Sequence, residues 1–306
     1  MRFVIRDLIG SLKELVPDCE ILEQEPMSRH TTFRIGGPAD LYIAPKANQI
    51  AGVVKLCRQF GVPFLVIGNG SNLLVGDLGI EGAVLEIGKQ AGDLSVDGTT
   101  ITAQAGAALA SIASAAAKQG LTGLEFASGI PGCLGGALVM NAGAYGGEMK
   151  QVVRSVTCLT KEGEEVVLSG DQMEFGYRHS VIPEKEYIAL SATMALQEGD
   201  PQKIRETMKT LQEQRSAKQP LQYPSAGSTF KRPEGYFAGK LIMDAGLAGY
   251  RVGGAQVSEK HCGFVINTGE ATAQDVVRLM DEVSRIVEEK FGVKLTPEVR
   301  LAGRFS

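Results

Sequence analysis

The sequence predicts an α+β protein of more than one lobe, and three observations carry that expectation. Short β-branched and aromatic runs alternate with a helical stretch over residues 41–87, strand periodicity fills residues 152–196, and a capped amphipathic helix lies near the end. At 306 residues the chain is long enough to bury more than one core.

The elements follow in order. Leu41 to Ala44 reads as a strand; Ile50, Val53, Val54, Cys57 and Phe60 then recur at helical spacing up to Gly61, and Phe64 to Ile67 reads as a second strand. AVLEI and TITA add two more strands, and the small residues of LASIASAAAKQG predict a tightly packed helix stopped at Gly120. VVRSVTCLT, a turn at Glu162 and Gly163, EVVL and YIALSATMAL predict an antiparallel patch. Ile204, Met208 and Leu211 line one side of a charged helix, after which KQPLQYPSAGS, with two prolines and a glycine, breaks regular structure. A boundary is therefore expected near residue 220. Beyond it, short strands surround HCGFVIN, and Thr272-x-x-Asp275 opens a helix with Val276, Met280, Val283 and Val287 on one face, ending at Phe291 and Gly292.

Composition narrows the function classes. No segment stays apolar for the roughly 18 residues of a bilayer span. The opening MRFVIRDLIGSLKEL is broken by Arg6, Asp7, Lys13 and Glu14 before a secretory core can develop, so cytoplasmic residence without membrane attachment is expected. Five scattered cysteines, with no CxxC pair and no histidine at ligand spacing, predict neither disulfides nor zinc. A formal charge of −4 argues against a nucleic-acid footprint but leaves room for a local basic pocket holding one phosphorylated ligand. Glycine is in excess, 38 residues against an average of roughly 7%, and is not periodic, which points to tight turns and close backbone approach.

Two glycine-rich motifs stand out. Gly68, Asn69, Gly70, Ser71 and Asn72 follow the Phe64–Ile67 run, where converging amides and small polar side chains suit a pyrophosphate; an ordinary tight loop is the alternative. The spacing fits neither the dinucleotide fingerprint nor the P-loop. Ser128, Gly129, Ile130, Pro131 and Gly132, continuing through Gly135 to Gly143, suit a backbone lying flat on a large planar ligand. Glycine-mediated helix packing is the alternative there.

With HTTFRIGGPAD, GNGSNLL, GLEFASGIPG and GGALVMNAGAYG in order, the chain resembles the UDP-N-acetylenolpyruvoylglucosamine reductase (MurB) family over about residues 20–303. The resemblance implies an FAD-binding fold of the vanillyl-alcohol-oxidase type in two lobes, residues 1–98 and 99–220, plus a C-terminal α+β substrate-binding domain over 221–306. It places the FAD pyrophosphate on Gly68 to Asn72 and the flavin near Ser128 to Gly132, with Gly135 and Gly143 beside them. Lacking a long insertion with a substrate-covering tyrosine, the chain looks like the shorter, second type of the family. The implied activity is NADPH-dependent reduction of UDP-N-acetylglucosamine enolpyruvate to UDP-N-acetylmuramate, a step in peptidoglycan precursor synthesis. A monomer is the working expectation.

Three further segments resemble the family's catalytic signature: Tyr177-Arg178-His179-Ser180, Ser225 to Pro233, and Pro297-Glu298-Val299-Arg300. Taken singly, each reads as an exposed polar loop. Together they suit a reaction in which hydride arrives at the terminal carbon of an enolpyruvyl group and negative charge builds on the adjoining carboxylate. Arg178 then supplies fixed positive charge, Ser228 donates a proton to the remaining carbon, and Glu298 assists enolate stabilisation or proton delivery, best if its carboxyl is protonated in a poorly solvated site. On the substrate side the resemblance implies Lys218, Arg215 and Arg232, the last standing where many relatives carry Asn. Arg251, Lys260 and His261 fall in matching segments, although a structural histidine is the simpler reading of His261. A sugar or alcohol oxidase of the same flavin fold, and a non-catalytic nucleotide-sugar binding module, are the competing readings.

Overall fold

The computed structural model describes residues 2–305. The chain forms two compact units, interleaved in sequence: Met1–Leu22, Tyr42–Asn69 and Gly82–Arg215 make the first, and Glu23–Leu41, Gly70–Glu81 and Ser216–Ser306 the second.

In the first unit, the helix Arg2–Leu15 packs against the helix Ile50–Gln59, which buries Ile50, Val53, Val54 and Cys57. Gly61, at φ +64°, ends that second helix in a left-handed turn that a side chain would strain. Strand Phe64–Ile67 runs parallel to the strand Ile80–Glu86, with Phe64 opposite Ala83 and Ile67 opposite Glu86. The expected antiparallel patch is a five-stranded sheet in the order Glu165–Ser169, Val153–Leu159, Ile188–Ala195, Thr100–Gln104, Leu94–Asp97. Its register sets Val156 between Leu168 and Ala192, all three buried. The helix Leu109–Lys118 buries Leu109, Ile112, Ala113, Ala116 and Ala117, and its small side chains let it lie close to the turn at Glu125–Gly129.

In the second unit, strand Leu73–Val75 pairs in parallel with Arg300–Ala302, and Arg251–Val252, Ala255–Val257 and Val265–Asn267 form a small antiparallel sheet. The core gathers Phe33, Ile35, Phe230 and Leu241 around the buried face of the helix Ala273–Phe291, where Val276, Leu279, Met280, Val283 and Val287 lie. Leu279 is fully buried, so truncating it to Ala costs about 2–5 kcal/mol. The expected capping box forms: Thr272 Oγ1 accepts from the Asp275 amide at 3.0 Å while Asp275 Oδ2 accepts from the Thr272 amide at 3.0 Å. Among the described residues, no helix is long and apolar enough to cross a membrane.

Candidate active site

The first unit brings Gly68 and Asn69 of the first glycine-rich motif against the second. Gly68 ends the Phe64–Ile67 strand where a Cβ would lie 2.2 Å from Cys133 Sγ, and Asn69 Nδ2 donates to the Pro131 carbonyl at 3.5 Å. Close approach, rather than turn conformation, demands glycine there. The second segment is pinned at both ends: Ser128 Oγ donates to the Glu125 carbonyl at 2.8 Å, and the Leu109 amide to the Gly132 carbonyl at 3.0 Å. Phe126, Ala127, Cys133 and Leu134 on either side are buried, whereas Ser128 to Gly132 stay accessible to solvent. A pinned backbone strip with little side chain beyond Ile130 and Pro131, beside a small-residue turn, fits a planar ring and its pyrophosphate. Gly135 and Gly143 serve packing: a Cβ on Gly135 would lie 3.1 Å from Ala105 Cβ, and one on Gly143 2.7 Å from the Gly147 carbonyl.

Arg215 lies at this strip. Its Cδ and Nη1 are 3.3 and 3.4 Å from where a Gly129 Cβ would stand. Burial pushes the guanidinium below its ordinary pKa, opposed by nearby Tyr145.

Arg178 occupies the tip of a tight turn in which Gly176 and His179 exchange backbone hydrogen bonds of 3.2 Å each. Its φ is +55°, unusual for a long side chain and a mark of a position held by its surroundings. The guanidinium carbon stands 5.3 Å from the centre of the Tyr177 ring. Buried Asn141 supplies the hold, donating through Nδ2 to the Gly176 carbonyl at 3.1 Å and to Glu148 Oε2 at 3.1 Å, and accepting from the Lys150 amide at 2.9 Å. The sequence alone does not single out Asn141. Its only signal was a polar residue amid the apolar and glycine positions of GGALVMNAGAYG.

The second unit connects segments distant in sequence. The Thr32 amide donates to the Gly70 carbonyl at 3.2 Å, and Thr32 Oγ1 to the Ser225 carbonyl at 2.7 Å. Gly70 is obligatory on two counts, a φ of +58° and a Cβ position 2.1 Å from the His30 carbonyl. Ser228 is exposed, and buried Thr229 beside it organises the neighbourhood: its amide donates to the Gly263 carbonyl at 2.8 Å, its hydroxyl accepts from the Val265 amide at 2.9 Å, and its carbonyl accepts from the Glu298 amide at 2.8 Å. Asn72 Nδ2 closes the set by donating to the Glu298 carbonyl at 3.1 Å. Ser228 and Glu298 thus stand on neighbouring backbone segments, with Glu298 only partly buried.

His261 takes a supporting place. Its Nδ1 accepts from the Gly263 amide at 3.1 Å, its ring meets Phe264 edge-on at 4.9 Å, and Phe264 is bridged to Ser228 through the backbone. Burial, aided by the nearby Lys218 charge and opposed by a backbone hydrogen bond, pushes its pKa down. Lys218 itself is exposed at the end of the helix Pro201–Lys218. Arg232 is also exposed, its guanidinium carbon 3.9 Å from the Phe237 ring centre. Apart from Gly135, Gly143 and Lys218, the sequence-predicted residues therefore fall into three local groups: Gly68 and Asn69 with Ser128 to Gly132 and Arg215; Arg178 on its own turn; and Gly70 to Asn72 with Ser228, Arg232 and Glu298.

A family model described as an FAD-binding domain matches residues 38–169, and one described as the C-terminal domain of UDP-N-acetylenolpyruvoylglucosamine reductase matches residues 219–302. A UDP-N-acetylenolpyruvoylglucosamine reductase from Agathobacter rectalis is 54% identical over 97% of this chain and 98% of its own length. One from Clostridioides difficile is 51% identical, again over 97% of this chain and 98% of its own. Among solved structures, the UDP-N-acetylenolpyruvylglucosamine reductase from Thermus caldophilus superposes with a TM-score of 0.79 at 33% identity, covering 93% of this chain and 98% of that one.

Proposed function

The chain belongs to the UDP-N-acetylenolpyruvoylglucosamine reductase family, and from that premise we propose that it reduces UDP-N-acetylglucosamine enolpyruvate to UDP-N-acetylmuramate, with FAD as cofactor and NADPH as electron source, in the cytoplasm as a step of peptidoglycan precursor synthesis. The observation that carries the site assignment is the 2.8 Å hydrogen bond from the Glu298 amide to the Thr229 carbonyl, which sets a hydroxyl and a carboxyl, seventy residues apart in sequence, on neighbouring segments.

FAD, when bound, would supply the hydride chemistry, with NADPH as the electron source. Everything else falls to the chain's own groups. Arg178 holds the substrate carboxylate and stabilises the enolate that hydride addition creates, its turn fixed in advance by Asn141. Ser228 donates its proton to the enolate carbon, which is basic enough to take one from a hydroxyl. Glu298, on the neighbouring segment, assists enolate stabilisation or proton delivery. Gly68 to Asn72 and Ser128 to Gly132 would hold the cofactor, with Gly135 and Gly143 allowing close backbone packing beside them. Lys218, Arg215 and Arg232 serve the substrate side, Lys218 and Arg232 meeting the diphosphate of the sugar nucleotide and Arg215 standing beside Gly129.

NADPH is proposed to leave before the sugar nucleotide enters. Initial-velocity measurements are then expected to give parallel lines, with the lactyl ether as product. Intersecting lines that require both ligands at once would overturn this order, and rapid reoxidation by air in place of the substrate would sink the reductase reading in favour of an oxidase.

A further inference from the structure

The segment bearing Ser228 runs on into an exposed turn. As far as Lys231 it is pinned, because the Lys231 amide donates to the Thr296 carbonyl at 2.8 Å and Phe230 is bridged to Pro297. Beyond that, Gly235 at φ +74° and a hydrogen bond of 3.1 Å from the Tyr236 amide to the Pro233 carbonyl fold the chain back. The fold-back lays the Phe237 ring against Arg232, 3.9 Å from ring centre to guanidinium carbon, and Arg232 Nε donates to the Tyr236 carbonyl at 3.3 Å. The guanidinium is thereby fixed in plane and direction by its own turn.

The cost of this arrangement is visible. Phe237 is 61% exposed, and the neighbouring Tyr236 is 48% exposed. Two aromatic side chains left largely in water are poor core material. Holding one cation in a single orientation is a task that an aromatic face performs even at an exposed site, and a guanidinium of fixed plane presents its paired donors to two phosphate oxygens at once. The span also fits: Ser228 to Arg232 is four residues, at most about 14 Å of extended chain. A substrate reacting at Ser228 therefore brings a diphosphate borne on the same sugar ring within reach of Arg232.

We propose that Phe237 is a positioning residue that preorganises Arg232 to bind the diphosphate of the nucleotide-sugar substrate. The inference rests on the reading of Ser228 as the group at the reacting carbon. It assigns the aromatic turn a share of substrate recognition.

A double-mutant cycle tests it on the holoenzyme. The affinity for UDP, and KM and kcat for the enolpyruvyl substrate, are measured for wild type, Phe237→Leu, Arg232→Ala and the double variant. Phe237→Leu is expected to weaken UDP binding and raise KM about two- to fivefold with kcat steady, and Phe237→Tyr to restore both. In the Arg232→Ala background, Phe237→Leu should change nothing further. Equal losses from Phe237→Leu in both backgrounds, or a fall in kcat with KM unmoved, would overturn the proposal. A wild type that shows the coupling on UDP yet leaves the enolpyruvyl substrate unreduced would remove the reductase reading and keep the clamp, so the two failures are distinguishable.

Discussion

The glycine-rich strip of the first unit and the Ser228 neighbourhood of the second are built on opposite plans. At Gly68, Ser128 to Gly132 and Cys133, the site is backbone, and its shape depends on side chains that are missing: one added Cβ at Gly68 would overlap a sulfur. At Ser228 and Glu298 the candidate site is side chain, and the backbone serves to fix it through hydrogen bonds that converge on Thr229. The difference teaches what each region should tolerate. The strip should lose ligand affinity when atoms are added, and the Ser228 region should lose rate when functional atoms are removed.

The largest stability effect is expected where both plans coincide. Gly70→Ala would place a side chain at positive φ against the His30 carbonyl, and strain plus overlap should cost at least about 3 kcal/mol in denaturant unfolding. A near-neutral result would show that the turn can relax and that the comparison is overdrawn. Next comes Arg178→Lys, which keeps charge but loses the planar fork. Substrate-driven flavin reoxidation should slow by about 100-fold while the melting temperature holds. Reoxidation close to the wild-type rate would remove Arg178 from its role.

Gly68→Ala sharpens the contrast further. It should weaken FAD binding by about tenfold, and Cys133→Ala, which removes the overlapping sulfur, should recover most of that loss when combined with it. Additive losses would mean that the Gly68 requirement lies elsewhere. The smallest effect concerns the helix cap. Thr272→Ala should cost about 1 kcal/mol without altering flavin content. Burial alone would raise the Asp275 carboxyl, but hydrogen bonds from the Thr272 and Gly254 amides and from the Thr272 side chain hold it below its ordinary value. A depressed carboxylate contributes stability that is fully present above its unfolded pKa of about 3.9 and is lost as pH falls through the lower folded value. Asp275→Asn should flatten that acid limb in a pH series of unfolding free energies.

These contrasts also explain what the sequence disclosed. The Thr272 cap, the Phe64–Ile67 strand and the face of Val276, Met280, Val283 and Val287 were legible because local spacing and local hydrogen bonds determine them. The helix Arg2–Leu15 carries the same signal in Ile5, Leu8, Ile9 and Leu12, all buried, and reading that segment for leader character alone passes over it. The role of Asn141 was not legible, since it depends on a carbonyl at Gly176, thirty-five residues away, which only folding brings into reach. The packing of Phe237 on Arg232 escaped for a related reason: a five-residue separation has no fixed meaning until the turn at Gly235 is known. The meeting of Gly68 with Cys133 joins two motifs that the sequence could only place side by side as candidates.

The measurement that tests the central claim most directly is anaerobic stopped-flow flavin absorbance on the wild type and Ser228→Ala. NADPH is added first to bleach the flavin, and UDP-N-acetylglucosamine enolpyruvate second. Both proteins should bleach alike, and only the wild type should regain its yellow colour quickly, with Ser228→Ala slower by about 100- to 10,000-fold in the second phase. A Ser228→Ala protein that recovers as fast as the wild type would contradict the assignment of the proton donor, and a wild type whose reduced flavin ignores that substrate but reacts rapidly with oxygen would contradict the function itself.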